Sequence, residues 1–416
     1  MMNRLLLTGN ASAAWGARLA HVDYIPAFPI TPQTEIIETI AEWIDKNEMA
    51  GRMVTLESEH SMITAAGAAS TTGVRVFTAT SSQGLLYAME MIYNVAGWRS
   101  PFVLVNVSRG ISAPITLEPD HNDVLATRDS GFLQIHCATC QEVLDSTLIA
   151  FRLAEHEMVR LPVIVNQDGF YLSFTREPVE IPDATLAAEF VGEYNPQNTD
   201  FRASSPSSHA VAVLGAGPYS YFRYETHLAS LQALSAYDDI AQEFKEYFGR
   251  YHPIVETYRT EDADYAFVMM GCFATKAKDA VQRLREEGIK IGLVRPRLLR
   301  PFPERQIQNA LAGKKGVAVI DQNLSIGKGG VLHTEIASAL YGWHDAPAIL
   351  ASFIGGLGGR NISAEEFYEI AEILQYAVKQ NKTPAPRLLY TEAELRTMRS
   401  LQAIAHVERA ELKTDK

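Results

Sequence analysis

The stretch Glu57-Ser58-Glu59-His60 stands just before a run of small residues, Ala65-Ala66-Gly67-Ala68-Ala69-Ser70. Small side chains let a helix approach its neighbour closely, so an acid at the start of that helix becomes a candidate for burial. A buried carboxyl has a raised pKa and can share a proton with a ligand nitrogen. Taken alone, the stretch reads equally well as one more acidic helix start. Arg109 follows the apolar run Phe102–Val107, at what would be a strand's carboxyl end. A guanidinium there can clamp a carboxylate with two parallel hydrogen bonds.

Two further stretches place polar groups at element junctions. In Phe28-Pro29-Ile30-Thr31-Pro32, Thr31 suits an N-cap and Pro32 the first helical position, with Ile36, Ile37 and Ile40 marking an apolar face. A helix beginning at Thr31 would offer free backbone N–H groups and a hydroxyl to a small anion. A strand ending near Thr80 runs into Ser81-Ser82-Gln83-Gly84 and then an apolar helix. Both junctions fall where an α/β sheet places its ligand crevice, outside the carboxyl ends of strands. Ordinary capping accounts for both just as simply.

Other motifs point elsewhere or are missing. Cys137-Ala138-Thr139-Cys140 has redox spacing, but Thr139-x-x-Glu142 is a capping box, which makes Cys140 the opening of a helix through Ala150. Asp120-His121-Asn122-Asp123 could ligate a metal, and polar turn chemistry explains the same residues. Gly215-Ala216-Gly217 lacks the third glycine of the dinucleotide fingerprint, and no GxxxxGK[ST], HExxH or GxSxG occurs. Nor is there a Gly-Asp-Gly followed by Asn, the diphosphate signature of thiamine enzymes.

The elements that must position these residues are strands and helices in alternation. Val74–Ala79, Phe102–Val107, Pro162–Asn166, Ala266–Gly271, Ile289–Val294 and Val317–Asp321 read as strands buried on both faces, with helical patterns such as Thr275–Glu287 and Thr334–Tyr341 between them. That alternation predicts α/β architecture with two parallel-sheet domains. The stretch Asn195–His209 reads as irregular and Tyr224–Phe248 as helical, which places one domain at about 1–255 and a smaller one at about 256–380. A polar helix opened by Thr391-x-x-Glu394 makes a C-terminal extension over 381–416.

Composition narrows the function classes. With 37 basic and 49 acidic residues the formal charge is −12, which argues against nucleic-acid or anionic-membrane partners. Three cysteines are too few for a four-cysteine iron–sulfur cluster. The short apolar run near the N-terminus is too brief for a signal peptide, and no apolar stretch is long enough to span a bilayer; a soluble cytoplasmic protein is expected.

Taken in order, nine segments resemble the α subunit of the 2-oxoacid:acceptor oxidoreductases, the pyruvate:ferredoxin oxidoreductase family. They are Phe28–Glu35, Glu57–Glu59, Phe77–Gly84, Ser112–Pro114, Asp120–Asp123, Arg128–Phe132, Arg295–Pro303, Asp321–Asn323 and Gly356–Asn361. The resemblance implies a thiamine-pyrimidine-binding domain followed by a domain like the C-terminal domain of transketolase. It implies oxidative decarboxylation of a 2-oxo acid to an acyl-CoA, with coenzyme A as co-substrate. It also implies thiamine diphosphate shared with a β subunit that holds the diphosphate and Mg²⁺, an iron–sulfur (δ-type) partner subunit and a γ subunit. By the same resemblance Glu59 faces the aminopyrimidine ring and Thr31 and Arg109 hold the substrate carboxylate, while Ser82 and Gln83 line the cofactor pocket. Leu117-Glu118-Pro119 stands where pyruvate-type relatives carry an apolar–Trp stretch, and Cys137–Cys140 departs from the usual acidic version. The first departure lies near Arg109 and makes an aromatic 2-oxo acid such as phenylglyoxylate, with an NAD-linked flavoprotein subunit, an alternative to pyruvate. Two other readings are a non-catalytic scaffold or regulatory subunit, and a self-contained thiamine or nucleotide enzyme, which would need a phosphate site of its own.

Overall fold

The computed structural model describes residues 3–196, 204, 206, 208 and 212–414; most of the irregular stretch expected over Asn195–His209 lies outside them, as do the last two residues of the expected C-terminal extension. The apolar runs become strands. Phe77–Thr80, Val103–Ser108 and Val163–Asp168 are buried throughout, because helices cover both faces of their sheet and leave no solvated side to alternate with. They pair in parallel with each other and with Leu133–His136, and Leu298–Arg300 closes one edge antiparallel. That last strand comes from beyond residue 256, so chain from the second region completes the first region's sheet. A short parallel pair, Tyr24–Ala27 with Arg52–Thr55, joins the other edge through a bridge between Tyr24 and Val76.

The second sheet has the order Arg387–Leu388, Ile349–Ile354, Gly316–Asp321, Tyr265–Val268, Ile291–Pro296 and Val255–Tyr258, parallel except for the last. The helix expected over Tyr224–Phe248 begins earlier, at Ala216, and buries its second half beneath the first sheet's helices. The capping box at Thr391 forms as read, with Thr391 N and Glu394 N bonding each other's side chains at 2.7 and 3.2 Å. Its helix is tied back to the second domain by a two-pronged pair from Arg360 to Glu394. Among the described residues no helix is long and apolar enough to cross a membrane.

Thr139 caps the helix Cys140–Glu155 through Glu142 N, as the capping box predicts, and Cys137 and Cys140 are both buried free thiols. Burial pushes the Cys137 thiol up to about 12 and raises Cys140 as well, which removes the thiolate that redox chemistry requires. Glu142 does more than cap. Its carboxylate lies between Arg295 and Arg297, at 2.7 and 2.9 Å, and both guanidiniums are almost fully buried. Burial would raise the Glu142 carboxyl, yet the two guanidiniums hold it well below the usual carboxylate range. This cluster joins the chain crossing between the two sheets to the core of the first.

Replacing Glu142 by Gln leaves two buried guanidiniums without their anion. The expected loss is about 3–5 kcal/mol of unfolding free energy, read by urea denaturation of the purified chain. Because the folded pKa of Glu142 is depressed, its stabilisation is present above the ordinary carboxylate value of about 4.5 and is lost as the pH falls below it. The gap between parent and E142Q should therefore narrow on acidification.

Candidate active site

Glu59 opens the helix Glu59–Thr71, whose N-cap is Ser58, bonded to Ser61 N at 3.2 Å. Of the two acids in the stretch, Glu57 faces solvent and Glu59 is buried, 5 % exposed. Small residues make this possible. A side chain at Gly67 would meet Val95 Cγ1 at 2.3 Å, so only glycine lets this helix sit so close to Met89–Gly97. Burial raises the Glu59 carboxyl, opposed by a hydrogen bond from its own backbone N–H. A Cβ at Gly84 would lie 2.4 Å from Glu59 Oε1 and 2.6 Å from Thr80 Oγ1. The Glu59 carboxyl and the Thr80 hydroxyl thus converge on one glycine. Thr80 Oγ1 is buried with no hydrogen-bond partner among the described residues.

The loop that carries this glycine also carries Ser82 and Gln83. Ser82 is fully buried at positive φ, 47°, and its hydroxyl lies within hydrogen-bond distance of Gly110 O and Gln83 Oε1, at 2.9 and 2.8 Å. Gln83 accepts from Arg109 Nη2 and donates to Ser112 Oγ at 2.9 Å. Arg109 follows Val103–Ser108, as read from the sequence, and is 6 % exposed. Its Nη1 donates to Thr31 O at 2.7 Å, while Nε is buried and unpartnered among the described residues. Two of its five N–H bonds are therefore occupied. No carboxylate among the described residues pairs with it. Burial lowers its pKa, opposed by the charge of Asp123.

The five site residues expected from the sequence thus form one continuous chain of contacts: Glu59 against Gly84, Gln83 on Arg109, Arg109 on Thr31, with Ser82 beneath. Thr31 arrives differently from the expectation. The helix starts at Thr34 with Gln33 as its N-cap, so Thr31 caps nothing and Pro32 is not the first helical residue. The preceding loop is held instead by Asn10 Nδ2 on Pro32 O and Gln33 Nε2 on Phe28 O, both 2.8 Å, bonds that come from outside the helix. Thr31 supplies its carbonyl to Arg109 and leaves its side chain exposed. The apolar face of Ile36, Ile37 and Ile40 is buried as predicted.

Two contributors escape the sequence reading, Thr80 and Asp123. The stretch Asp120–Asp123 bears its load at the domain seam and beneath the site. Asp120 accepts from Gly358 N, His121 N donates to Gln322 O, and Asn122 accepts from Leu324 N, at 3.3, 2.9 and 3.1 Å. His121 Nε2 meets Asp168 Oδ1 at 2.6 Å, and Asp123 accepts from the backbone of both site loops. An excess of short polar residues is what a turn also shows, so the sequence carried no distinguishing signal.

Residues 15–246 match the family described as pyruvate flavodoxin/ferredoxin oxidoreductase, thiamine diphosphate-binding, and residues 263–367 match pyruvate:ferredoxin oxidoreductase core domain II. Pyruvate synthase subunit PorA of Pyrococcus furiosus is 39% identical over 383 residues, covering 92% of this chain and 96% of that protein. Ketoisovalerate oxidoreductase subunit VorA of Pyrococcus horikoshii is 39% identical over 378 residues, 91% and 95% of the two chains. The 2-oxoglutarate:ferredoxin oxidoreductase of Magnetococcus marinus, solved with 2-oxoglutarate, coenzyme A and succinyl-CoA bound, superposes with a TM-score of 0.68 at 20% identity, covering 91% of this chain and 66% of that one.

The geometry fits a ring nitrogen beside a small carboxylate. A carboxyl whose pKa is raised can present a proton, and among the described residues the Thr80 hydroxyl has no hydrogen-bond partner and Arg109 no paired anion. Gly84 leaves the space in which the first two meet. Gly84→Ala forces its Cβ against both oxygens, and the expected cost is about 1–3 kcal/mol in chemical denaturation. An unchanged midpoint would mean that the Glu59 carboxyl is not held where the geometry places it.

Proposed function

The chain belongs to the pyruvate flavodoxin/ferredoxin oxidoreductase family, and on that premise we propose that it is the α-type catalytic subunit of a 2-oxoacid oxidoreductase that makes acyl-CoA. The observation that carries the proposal is a buried guanidinium with three N–H bonds unpartnered among the described residues, joined through Gln83 and Gly84 to a buried carboxyl of raised pKa. Thiamine diphosphate, when bound, supplies the nucleophilic carbon and the electron sink for decarboxylation. This chain's part is to hold a proton at the Glu59 carboxyl, toward a pyrimidine ring nitrogen, with the Thr80 hydroxyl beside it. Arg109 receives the carboxylate of the 2-oxo acid in two-pronged fashion, and the Thr31 carbonyl and Gln83 amide fix the plane of its guanidinium. Ser82 and Gln83 form the floor between the two functions.

The remaining parts belong to neighbours. We assign the diphosphate and its Mg²⁺ to a β subunit, because this sequence has no Gly-Asp-Gly…Asn stretch. Iron–sulfur clusters go to partner subunits, the δ-type one among them, because three buried cysteines, each with a raised pKa, offer no ligand set. Pyruvate and a branched-chain 2-oxo acid are the favoured substrates, since relatives named for each stand at the same identity to this chain. The aromatic 2-oxo acid and NAD-linked flavoprotein suggested by Leu117–Pro119 find no counterpart among the relatives described above.

Co-purification of the native complex, followed by assay of a panel of 2-oxo acids with coenzyme A and a low-potential acceptor, tests the proposal directly. Glu59→Gln should lower kcat by about 10²–10⁴-fold with assembly intact, the span usual for loss of acid–base catalysis. Near-parental turnover would remove Glu59 from the chemistry and favour a scaffold subunit. Arg109→Ala should raise KM for the 2-oxo acid by about tenfold or more, as loss of a charge-assisted carboxylate contact implies, and leave KM for coenzyme A alone. Tight Mg²⁺-dependent binding of thiamine diphosphate by the isolated chain would instead argue for a self-contained enzyme.

A further inference from the structure

Asp123 lies beneath the two loops of the site and touches neither the candidate substrate space nor the cofactor side. It is fully buried, at the start of the short helix Asn122–Ala126. Its Oδ2 accepts from Ser82 N at 3.0 Å, Arg109 N at 3.1 Å and Asn106 Nδ2 at 3.2 Å. Its Oδ1 accepts from Val124 N at 2.7 Å and lies 3.0 Å from Ser108 Oγ. Ser108 has one proton, which it can give either here or to Asn166 Oδ1 at 2.9 Å. Four N–H donors from four places in the chain, with a hydroxyl in reach of a fifth bond, thus converge on one carboxylate.

The placement of those donors gives the cluster its meaning. Ser82 N and Arg109 N belong to different loops, one after Phe77–Thr80 and the other after Val103–Ser108. The neighbouring strands register Thr80 against Asn106, but register ends at the strand ends and does not extend into the loops. Asp123 carries it two or three residues further, by bonding both loop backbones to a single oxygen. It also supplies negative charge near the Arg109 guanidinium without occupying it, so the N–H groups unpartnered among the described residues stay available. An acid in direct contact with the guanidinium would compete with the substrate for those same groups.

We propose that Asp123 is the positioning residue of the carboxylate grip: it holds the Arg109 loop and the Ser82–Gln83 loop in the relation that lets Arg109 receive the 2-oxo acid. The proposal rests on the reading of Arg109 given above and goes beyond it, because Asp123 touches no substrate. Asn at this position keeps the shape but turns an NH2 toward N–H donors, so at least one bond becomes a repulsion. The loops then shift relative to one another while the fold beneath them persists.

The test uses the assembled complex and separates KM from kcat. Asp123→Asn should raise KM for the 2-oxo acid at least tenfold, with KM for coenzyme A within twofold and kcat within about threefold. A general loss of folding would lower the active fraction, and hence kcat, without that split. An unchanged KM for the 2-oxo acid, or parallel rises in both KM values, would overturn the proposal. Should Asp123→Asn fail to assemble, Asn106→Ala removes one donor to the same oxygen and should raise KM for the 2-oxo acid two- to fivefold; an unchanged KM there overturns the proposal equally. A response to Arg109→Ala without one to these variants would sink the role of Asp123 alone, whereas silence at Arg109 would sink the reading beneath it.

Discussion

A buried cation that pairs with no carboxylate among the described residues is the constraint around which the candidate site is arranged. Taking the Arg109 guanidinium out of water is unfavourable, and an acid in contact with it would be the usual remedy. The chain instead gives it a carbonyl from Thr31 and an amide oxygen from Gln83, with the charge of Asp123 held one connection away. Neutral acceptors fix the geometry of the guanidinium and leave its charge uncompensated at short range.

The same logic explains why the site sits at a seam. Its supporting residues lie at the carboxyl ends of parallel strands, where three loops meet, and the second domain closes against them. Asp120, His121 and Asn122 each bond the second domain, and Asp168 bonds both His121 and Cys272 N, the latter at 2.6 Å. Gly271, at a φ of 74°, lets this contact form: a side chain there would meet Asp168 Oδ2 at 2.7 Å and His121 Cε1 at 2.8 Å. Two residues later in the same stretch, Asp123 sets the loops of the site. One tetrapeptide therefore bonds both the second domain and the two loops of the candidate site.

The comparisons and the geometry divide the work of identification. Family membership rests on likeness along most of the chain, and says nothing of which side chains meet. The geometry brings a carboxyl and a hydroxyl together at Gly84, next in the chain to the Gln83 that bonds the Arg109 guanidinium. The largely exposed loop Ile111–Glu118 is linked to Arg109 through Gln83, which bonds Ser112.

Much of this was legible in the residues. Apolar runs between small-residue and turn stretches specify buried parallel strands because a strand covered on both faces must be apolar throughout; Thr139-x-x-Glu142 specifies a helix start because capping is a local bond. A candidate acid in Glu57–His60 and a candidate clamp at Arg109 could be read from a helix start and a strand's end, while the choice of Glu59 rested on the family resemblance. Which of Glu57 and Glu59 is buried, that Thr31 offers a carbonyl instead of a helix terminus, and that Asp123 gathers two loops were decided by tertiary structure alone. Each depends on a group distant in sequence: Gly84 for Glu59, Asn10 and Arg109 for the Thr31 loop, Ser82 and Arg109 for Asp123. Periodicity and capping report only what a residue does with its near neighbours, and a site is made where distant segments meet.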